Sequence, residues 1–287
     1  MENNHNVLEL ISERLSRCSK GQKKIGEYLL GSYATAQYMT AAKLSDTVGV
    51  SESTIVRYAV DLGFDGYPEL QSALKYAARS KLTSVERMKL AARNPDTDVL
   101  GNSLKSDIDA IKKTLATTDN AAFESFVDSL MRAERIYLVG ARSSASLAIF
   151  LNFYLSILFD NVHLVHTVIG SEAFDQMFRV GSRDVVLGIS FPRYSRLTVD
   201  VLDFSKKAGA TVLALTDSIH SPLAGIADIT LFANNESDMF VDSLVAPLSL
   251  INAVIAEIAQ KDPERANERF GILEHIWDKN DVYDKDL

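Results

Sequence analysis

At Arg135 the hydrophobic period of the chain changes. Before it, across residues 7–78, apolar residues recur at helical spacing, as in Val7, Leu8, Ile11 and Leu15 and again in Ile25, Tyr28 and Leu29. After it, apolar runs of strand length alternate with amphipathic segments: RIYLVG, VHLVH, DVVLGIS, TVLALTD and DITLFA. A strand that must be followed by a helix-length crossover pairs with a parallel neighbour and needs a helix over each face. The second half therefore predicts a five-stranded parallel α/β sheet with helices on both faces, in the flavodoxin-like order 2-1-3-4-5. The first half predicts an all-α bundle.

A chain of 287 residues suits about two domains. The boundaries expected are a helical domain over 1–80, a charged helical linker over 81–118 broken at Asn94-Pro95, and an α/β domain over 119–287. The apolar segment from Val241 to Ala259 reads as a buried closing helix. The polar stretch after it reads as a short exposed helix with a frayed tail.

Composition narrows the function classes. No window approaches the roughly 18 uninterrupted apolar residues of a membrane span, and the start carries charges where a signal peptide is apolar, so a cytoplasmic protein is expected. The single cysteine, Cys18, has no partner for an internal disulfide, and no Cys cluster offers a zinc site. Neither metal nor cofactor is expected. The net charge of −8 is unevenly placed: residues 1–93 hold 13 Lys+Arg against 10 Asp+Glu, and the remainder holds 17 against 28. A weakly basic head on an acidic body fits DNA binding by the head alone.

The segment TAAKLSDTVGVSESTIVRYAVDLG, residues 40–63, carries the most specific pattern. Ala42, Leu44 and Val48 form an apolar face, Gly49 permits a tight turn, Val50 closes the small core, and Ser51 is placed to cap the next helix. This is helix-turn-helix spacing, and an ordinary helical hairpin is the competing reading. In the DNA-binding form the second helix enters the major groove by its first turns. Ser51, Glu52, Ser53, Thr54 and Arg57 are then the exposed candidates, while Ile55 and Tyr58 belong to the core side and Val56 is left open between the two faces. Hydroxyls there can address phosphates or bases, and Arg57 guanine or the backbone. With VSESTIVRYAVDLGFDGYPELQSAL, residues 7–78 resemble the N-terminal domain of the MurR/RpiR family of bacterial transcriptional regulators. The resemblance implies that Tyr67 and Lys75 also lie near the DNA backbone.

In the α/β half, IYLVGARSSAS sets Gly140 at the end of the first strand and Arg142, Ser143 and Ser144 at the start of a helix. Free N–H groups and a partial positive charge make such a helix start receptive to phosphate or carboxylate. Arg142 stands where a dinucleotide fingerprint has its second glycine, which disfavours a nicotinamide cofactor. After the third strand Ser190, Arg193, Tyr194 and Ser195 open another helix, and the fourth strand ends in Thr216, Asp217 and Ser218 and leads to Ser221-Pro222, a further polar loop before a helix start. In an open parallel sheet, ligands bind at the carboxyl ends of the strands where the strand order reverses, so these loops predict an anion or polyol pocket. Each serine taken alone can equally be a helix cap. Arg193 can pair with a carboxylate or phosphate, or serve as a surface arginine.

Residues of about 119–260 resemble a sugar isomerase (SIS) domain, the second half expected of MurR/RpiR regulators. The resemblance implies phosphosugar binding, with Ser and Thr side chains around the phosphate. GARSSA and SFPRYSRLT depart from the usual GVGxS-like and SxSGxT-like loops, with Pro192 and Arg193 at the place of the tight Ser-Gly turn. Ser171 and Glu172 resemble a Ser-Glu of SIS isomerases in which the glutamate acts in proton transfer; a first-turn glutamate is also favourable helix electrostatics.

No catalytic residue is assigned. His163 and His166, three apart on one strand, point to opposite faces and cannot share a metal, although His163 or His220 can line a pocket. No GxSxG, HExxH or P-loop occurs. The expectation is a ligand-responsive regulator, most simply a repressor, that binds double-stranded operator DNA and a sugar phosphate or related anionic metabolite. It is expected to associate with itself as a homodimer or homotetramer through helices including parts of 145–159 and 241–259. A SIS-type isomerase with an accessory helical domain is the alternative.

Overall fold

The computed structural model describes residues 7–81, 83–93, 98–165, 170–237 and 241–284. It divides into two compact units, Met1–Arg93 and Asn94–Leu287.

The first unit is helical: α1 (Val7–Arg14), a short 3-10 turn (Leu15–Arg17), α2 (Lys20–Ala36), α3 (Ala41–Val48), α4 (Glu52–Asp61), α5 (Tyr67–Lys81) and α6 (Ser84–Arg93). Ile11, Ile25, Leu29, Leu44, Ile55, Tyr58, Leu70 and Leu74, one or two from each of α1–α5, form its buried centre. Each aliphatic side chain removed from water contributes about 1.5–3 kcal/mol, which offsets the ordering of short helices that are not stable alone. A capping box starts α2, where Ser19 and Gln22 satisfy each other's backbone N–H groups.

The second unit begins with α7 (Val99–Thr117) and α8 (Asn120–Arg132) and continues β1 (Arg135–Gly140), α9 (Ser144–Leu158), β2 (Val162–Leu164), α10 (Gly170–Gln176), β3 (Asp184–Ile189), α11 (Arg196–Lys207), β4 (Thr211–Thr216), β5 (Ile229–Phe232), α12 (Val245–Lys261) and α13 (Pro263–Lys279). All strand pairs are parallel and the order is β2-β1-β3-β4-β5, as the apolar runs predict. Alternate residues of the central strands feed two cores. Ile136, Leu138, Leu187 and Leu213 pack under α8, α9 and α12, whereas Tyr137, Val139, Val186 and Val212 pack under α10 and α11. Burial on both faces explains why these strands read as continuous apolar runs.

At the amino ends of β1 and β3, Arg135 makes a two-pronged ion pair with the fully buried Asp184 carboxylate, both N···O distances being 2.8 Å. The Gly181 N–H also donates to that carboxylate, at 2.7 Å. The Arg135–Asp184 register of β1 and β3 is thereby fixed at its start.

Three local differences from the sequence reading have physical causes. The edge strand β2 stops at Leu164; Val165 makes one more hydrogen bond to Leu138, and His166 lies outside the described residues. The closing helix starts at Val245 rather than Val241, after Ser243 has turned to bond Asp107 of α7. The terminal helix is a full 17 residues, because Asp262 caps it and Pro263 sits at its first turn, where a missing N–H costs nothing. Helix α7 falls in the stretch read as a linker with a part able to pack on the second domain, and it packs against α12 within the second unit.

Candidate functional site

In the helical unit α3 and α4 form the expected helix-turn-helix. Thr40 caps α3 by accepting the Lys43 N–H at 3.2 Å. Gly49 ends it in the left-handed conformation (φ 73°, ψ 48°), which a residue without Cβ adopts at no steric cost. Ser51 then caps α4, its Oγ accepting the Thr54 N–H at 3.3 Å and lying 2.9 Å from Ser53 Oγ and 2.7 Å from Thr54 Oγ1. Ile55, Tyr58, Ala59 and Leu62 bury the inner face of the helix. The outer face is left to Glu52, Ser53, Val56, Arg57 and Val60, all exposed, with Thr54 half-buried at its edge.

Ser53 and Arg57 are thus displayed as expected, one turn apart. Val56 and Val60 complete the face; sequence reasoning left Val56 open, and its exposure supplies an apolar group of the kind that meets a thymine methyl. Lys75 is exposed on α5. Tyr67 corrects its expectation: only 4% of it is accessible, and its hydroxyl donates to the Met39 carbonyl at 2.8 Å, beside a second donor, Gln71 Nε2. Burial pushes the Tyr67 hydroxyl up to about 12. The side chain therefore holds the α2–α3 connection instead of reaching a phosphate.

In the α/β unit the register Gly140–Ile189 and Ile189–Leu215 brings the ends of β1, β3 and β4 side by side. Gly140 is required there, since a Cβ would stand 2.6 Å from the Ser144 carbonyl oxygen. Arg142 follows with a positive φ of 57°, exposed, and Ser143 is exposed without a side-chain cap bond. Ser144 is buried at the first turn of α9.

The β3 and β4 loops interlock. Ser190 Oγ accepts the Ser195 N–H at 3.1 Å, and the Ser190 carbonyl accepts the Thr216 hydroxyl at 2.8 Å. Thr216 Oγ1 also lies 2.8 Å from Ser221 Oγ, and Tyr194 Oη donates to Asp217 at 2.7 Å. Ser195 caps α11 through the Thr198 N–H. Arg193 is exposed, and Ser218 accepts the His220 N–H within its own turn. Glu172 is exposed in the first turn of α10; the Ser171 side chain lies outside the described residues. The structure brings Ser190, Tyr194, Ser195 and Thr216 into one network, with Arg142, Ser143 and Ser144 at the adjacent strand end.

Residues 5–81 match the model of the helix-turn-helix domain of the rpiR family, and residues 129–257 match that of the SIS domain. The sugar isomerase domain of an RpiR transcription factor from Sphaerobacter thermophilus is 31% identical, covering 62% of this chain and 99% of its own, with a TM-score of 0.60. The chain belongs to the RpiR family. Among its relatives is the HTH-type transcriptional regulator HexR of Pseudomonas aeruginosa, 28% identical over 87% of each chain. Vibrio vulnificus NanR, solved in complex with ManNAc-6P, shares the fold over 94% of this chain and 98% of its own, with a TM-score of 0.61 at 20% identity.

Several features of this RpiR-family chain escaped sequence reasoning. Ser221, read only as part of a polar loop, is buried and bonded to Thr216, and Thr198 carries a buried hydroxyl with no hydrogen-bond partner among the described residues. Both lie in or next to singled-out loops, but hydroxyls within helix starts carry no signal that separates capping from ligand contact. A cavity of about 450 Å³ lies beside β2, lined in part by Tyr137, Asn152, Ser156 and Gln176, with His163 stacked on Tyr137. His163 thus faces the sheet edge, away from the β3 and β4 loops. Among the described residues no cluster of His, Cys, Asp or Glu could hold a metal ion, and no helix is long and apolar enough to cross a membrane.

Proposed function

We propose that this transcription regulator is a non-catalytic, cytoplasmic repressor that reads operator DNA with α4 and releases it when a sugar phosphate or related anionic metabolite binds at the ends of β1, β3 and β4. The observation that carries the reading is the pairing of a fully formed helix-turn-helix, whose Ser53 and Arg57 face outward, with a hydroxyl network across the ends of β3 and β4, beside the β1–β3 strand-order reversal. Ser143 and Ser144 offer hydroxyls to an anion at the positive end of the α9 dipole, and Arg142 and Arg193 offer charge. NanR is a neighbour of the same fold and is described with a phosphorylated sugar, which supports the ligand class.

Release follows if the metabolite favours one arrangement of the heads over the other, since a ligand shifts an equilibrium only by its difference in affinity. Two heads on adjacent half-sites supply the affinity that a single small head lacks. The SIS-type isomerase reading draws on Glu172 in the first turn of α10. Incubation with sugar phosphates separates the two: turnover supports the isomerase, and a raised melting temperature without turnover supports the sensor.

For the head, Arg57→Ala is expected to weaken operator binding about 5- to 150-fold, corresponding to about 1–3 kcal/mol, while ligand-induced stabilisation persists. Fluorescence anisotropy at several salt concentrations reads this directly. Loss of both responses would show that the two units do not act as separable modules.

A further inference from the structure

Residues 14–26, RLSRCSKGQKKIG, hold five Lys or Arg and no Asp or Glu, and no other run of that length in the chain holds as many cations. They cover the short 3-10 turn and the first two turns of α2. Arg14 is committed to the Asp61 carbonyl at the end of α4. Arg17, Lys20, Lys23 and Lys24 are exposed, and none of the four has an ion-pair partner among the described residues. The α/β unit treats its cations differently: Lys113 pairs with Glu236, Lys206 with Asp228, Lys207 with Asp203 and Lys261 with Asp128. Within α2 the charges also oppose their own helix. Its first turn carries no acid, a cation there meets the positive end of the dipole, and Lys20 repels Lys24 at the i,i+4 spacing. A polyanion lying alongside neutralises these repulsions.

Two contacts fix where the charges point. Gly21 lies against the start of α4, since a Cβ there would stand 3.7 Å from Thr54 Cγ2 and 3.8 Å from Val50 Cγ1. Gln22 reaches its end, with Nε2 donating to Asp61 Oδ2. One step of about 100° around α2, from Gln22 back to Gly21, therefore travels the length of α4 from last residue to first turn. A further step in the same direction reaches Lys20, with Lys24 about 40° short of it. Both lysines thus project past the amino end of α4, on the side of Ser51 and Ser53. Glu52, the acid of that first turn, takes no ion pair among the described residues and leaves them charged. The Ser19–Gln22 capping box already uses N–H groups at the α2 start, so the ammonium groups are what an anion meets.

We propose that Lys20 and Lys24 form a phosphate clamp on double-stranded DNA, gripping the backbone at the edge of the major groove that α4 enters. The clamp rests on the reading of α4 as the DNA-contacting helix and adds to it a contact from a different helix. Ammonium groups are point charges that neutralise phosphates and carry no base preference. Lys20 and Lys24 therefore supply affinity and register, while Ser53 and Arg57 supply selectivity.

The test uses the full chain, a labelled duplex enriched from a random pool by the native protein, and a scrambled duplex of equal length. Fluorescence anisotropy follows both between about 50 and 250 mM salt. Lys20→Gln and Lys24→Gln are each expected to reduce the slope of log affinity against log salt by about 0.9 per bound head, and to weaken both duplexes alike, roughly three- to ten-fold. Lys20→Glu/Lys24→Glu is expected to weaken both at least about 100-fold, and Lys20→Arg/Lys24→Arg to keep the native slope. Arg57→Ala, by contrast, narrows the gap between the two duplexes. Circular dichroism confirms that each variant is folded. A native slope and affinity in Lys20→Gln/Lys24→Gln, with Arg57→Ala impaired, overturn the clamp and leave the α4 reading standing. A loss confined to the enriched duplex also overturns it, since phosphates are common to both. Reduced slopes beside an Arg57→Ala variant that discriminates as the native chain does keep the phosphate contact and overturn the α4 reading. A native chain that binds neither duplex overturns both.

Discussion

Ser51 and Ser195 each cap a helix by accepting the backbone N–H of the residue three positions on, and the two units use that shared device for opposite ends. Around Ser51 the neighbouring side chains Ser53 and Arg57 stay in solvent, so the cap stiffens a surface that meets a large partner. Around Ser195 the neighbours Ser190, Thr216 and Ser221 are buried and bonded to one another across the ends of β3 and β4. A capped helix on the rim of a small bundle displays its first turn. The same helix start set behind a parallel sheet encloses it. The surroundings, not the cap, decide whether a hydroxyl stays in solvent or is drawn into an internal network.

The contrast is broken most forcefully at Asp184. Removing the buried carboxylate by Asp184→Ala strands the Arg135 guanidinium and is expected to cost about 3–5 kcal/mol, confined to the α/β unit. Hydrogen exchange should show the strands opening while α1–α5 keep their protection. Next in size, Thr216→Val leaves the Ser190 carbonyl without its donor and is expected to cost about 1–3 kcal/mol, seen as a lower melting temperature and a lost effector response with operator binding retained. Ser51→Ala sharpens the comparison from the other side. It is expected to cost about 1 kcal/mol in the helical unit alone, and to weaken operator binding through a frayed α4 start.

The smallest effect is a matter of pH. Burial raises the Tyr67 hydroxyl to about 12 and moves that of Tyr58 up as well, against an ordinary value near 10. Native protein therefore holds these protons where the unfolded chain releases them. Their contribution is complete below pH 10 and is lost as pH rises through the folded values. Denaturant midpoints of the helical unit measured between pH 8.5 and 11 should fall, and Tyr67→Phe should make that fall shallower while costing about 1 kcal/mol at neutral pH through the lost Met39 bond.

Much of this was legible in the residues. The strand order followed from five apolar runs separated by crossover-length segments, and the helix-turn-helix from Thr40, Gly49 and Ser51 at their spacing, because period and turn chemistry are local properties. Tyr67 was misplaced because its environment depends on Met39 and Gln71, a long-range contact that no local pattern announces. The Ser190–Thr216–Ser221 network could be located to the two loops after β3 and β4 but not resolved into donors and acceptors. Val56 was ambiguous for a related reason: an apolar residue at helical spacing reads as core until the packing shows which face is covered.

Arg142 occupies a backbone conformation that glycine would hold more comfortably, at the mouth of the first strand-end loop. The chain thus carries a standing conformational cost at the one place in that loop where a guanidinium projects into solvent. Glycine at this position would relieve that cost and gain stability, and would at the same time strip the loop mouth of its positive charge.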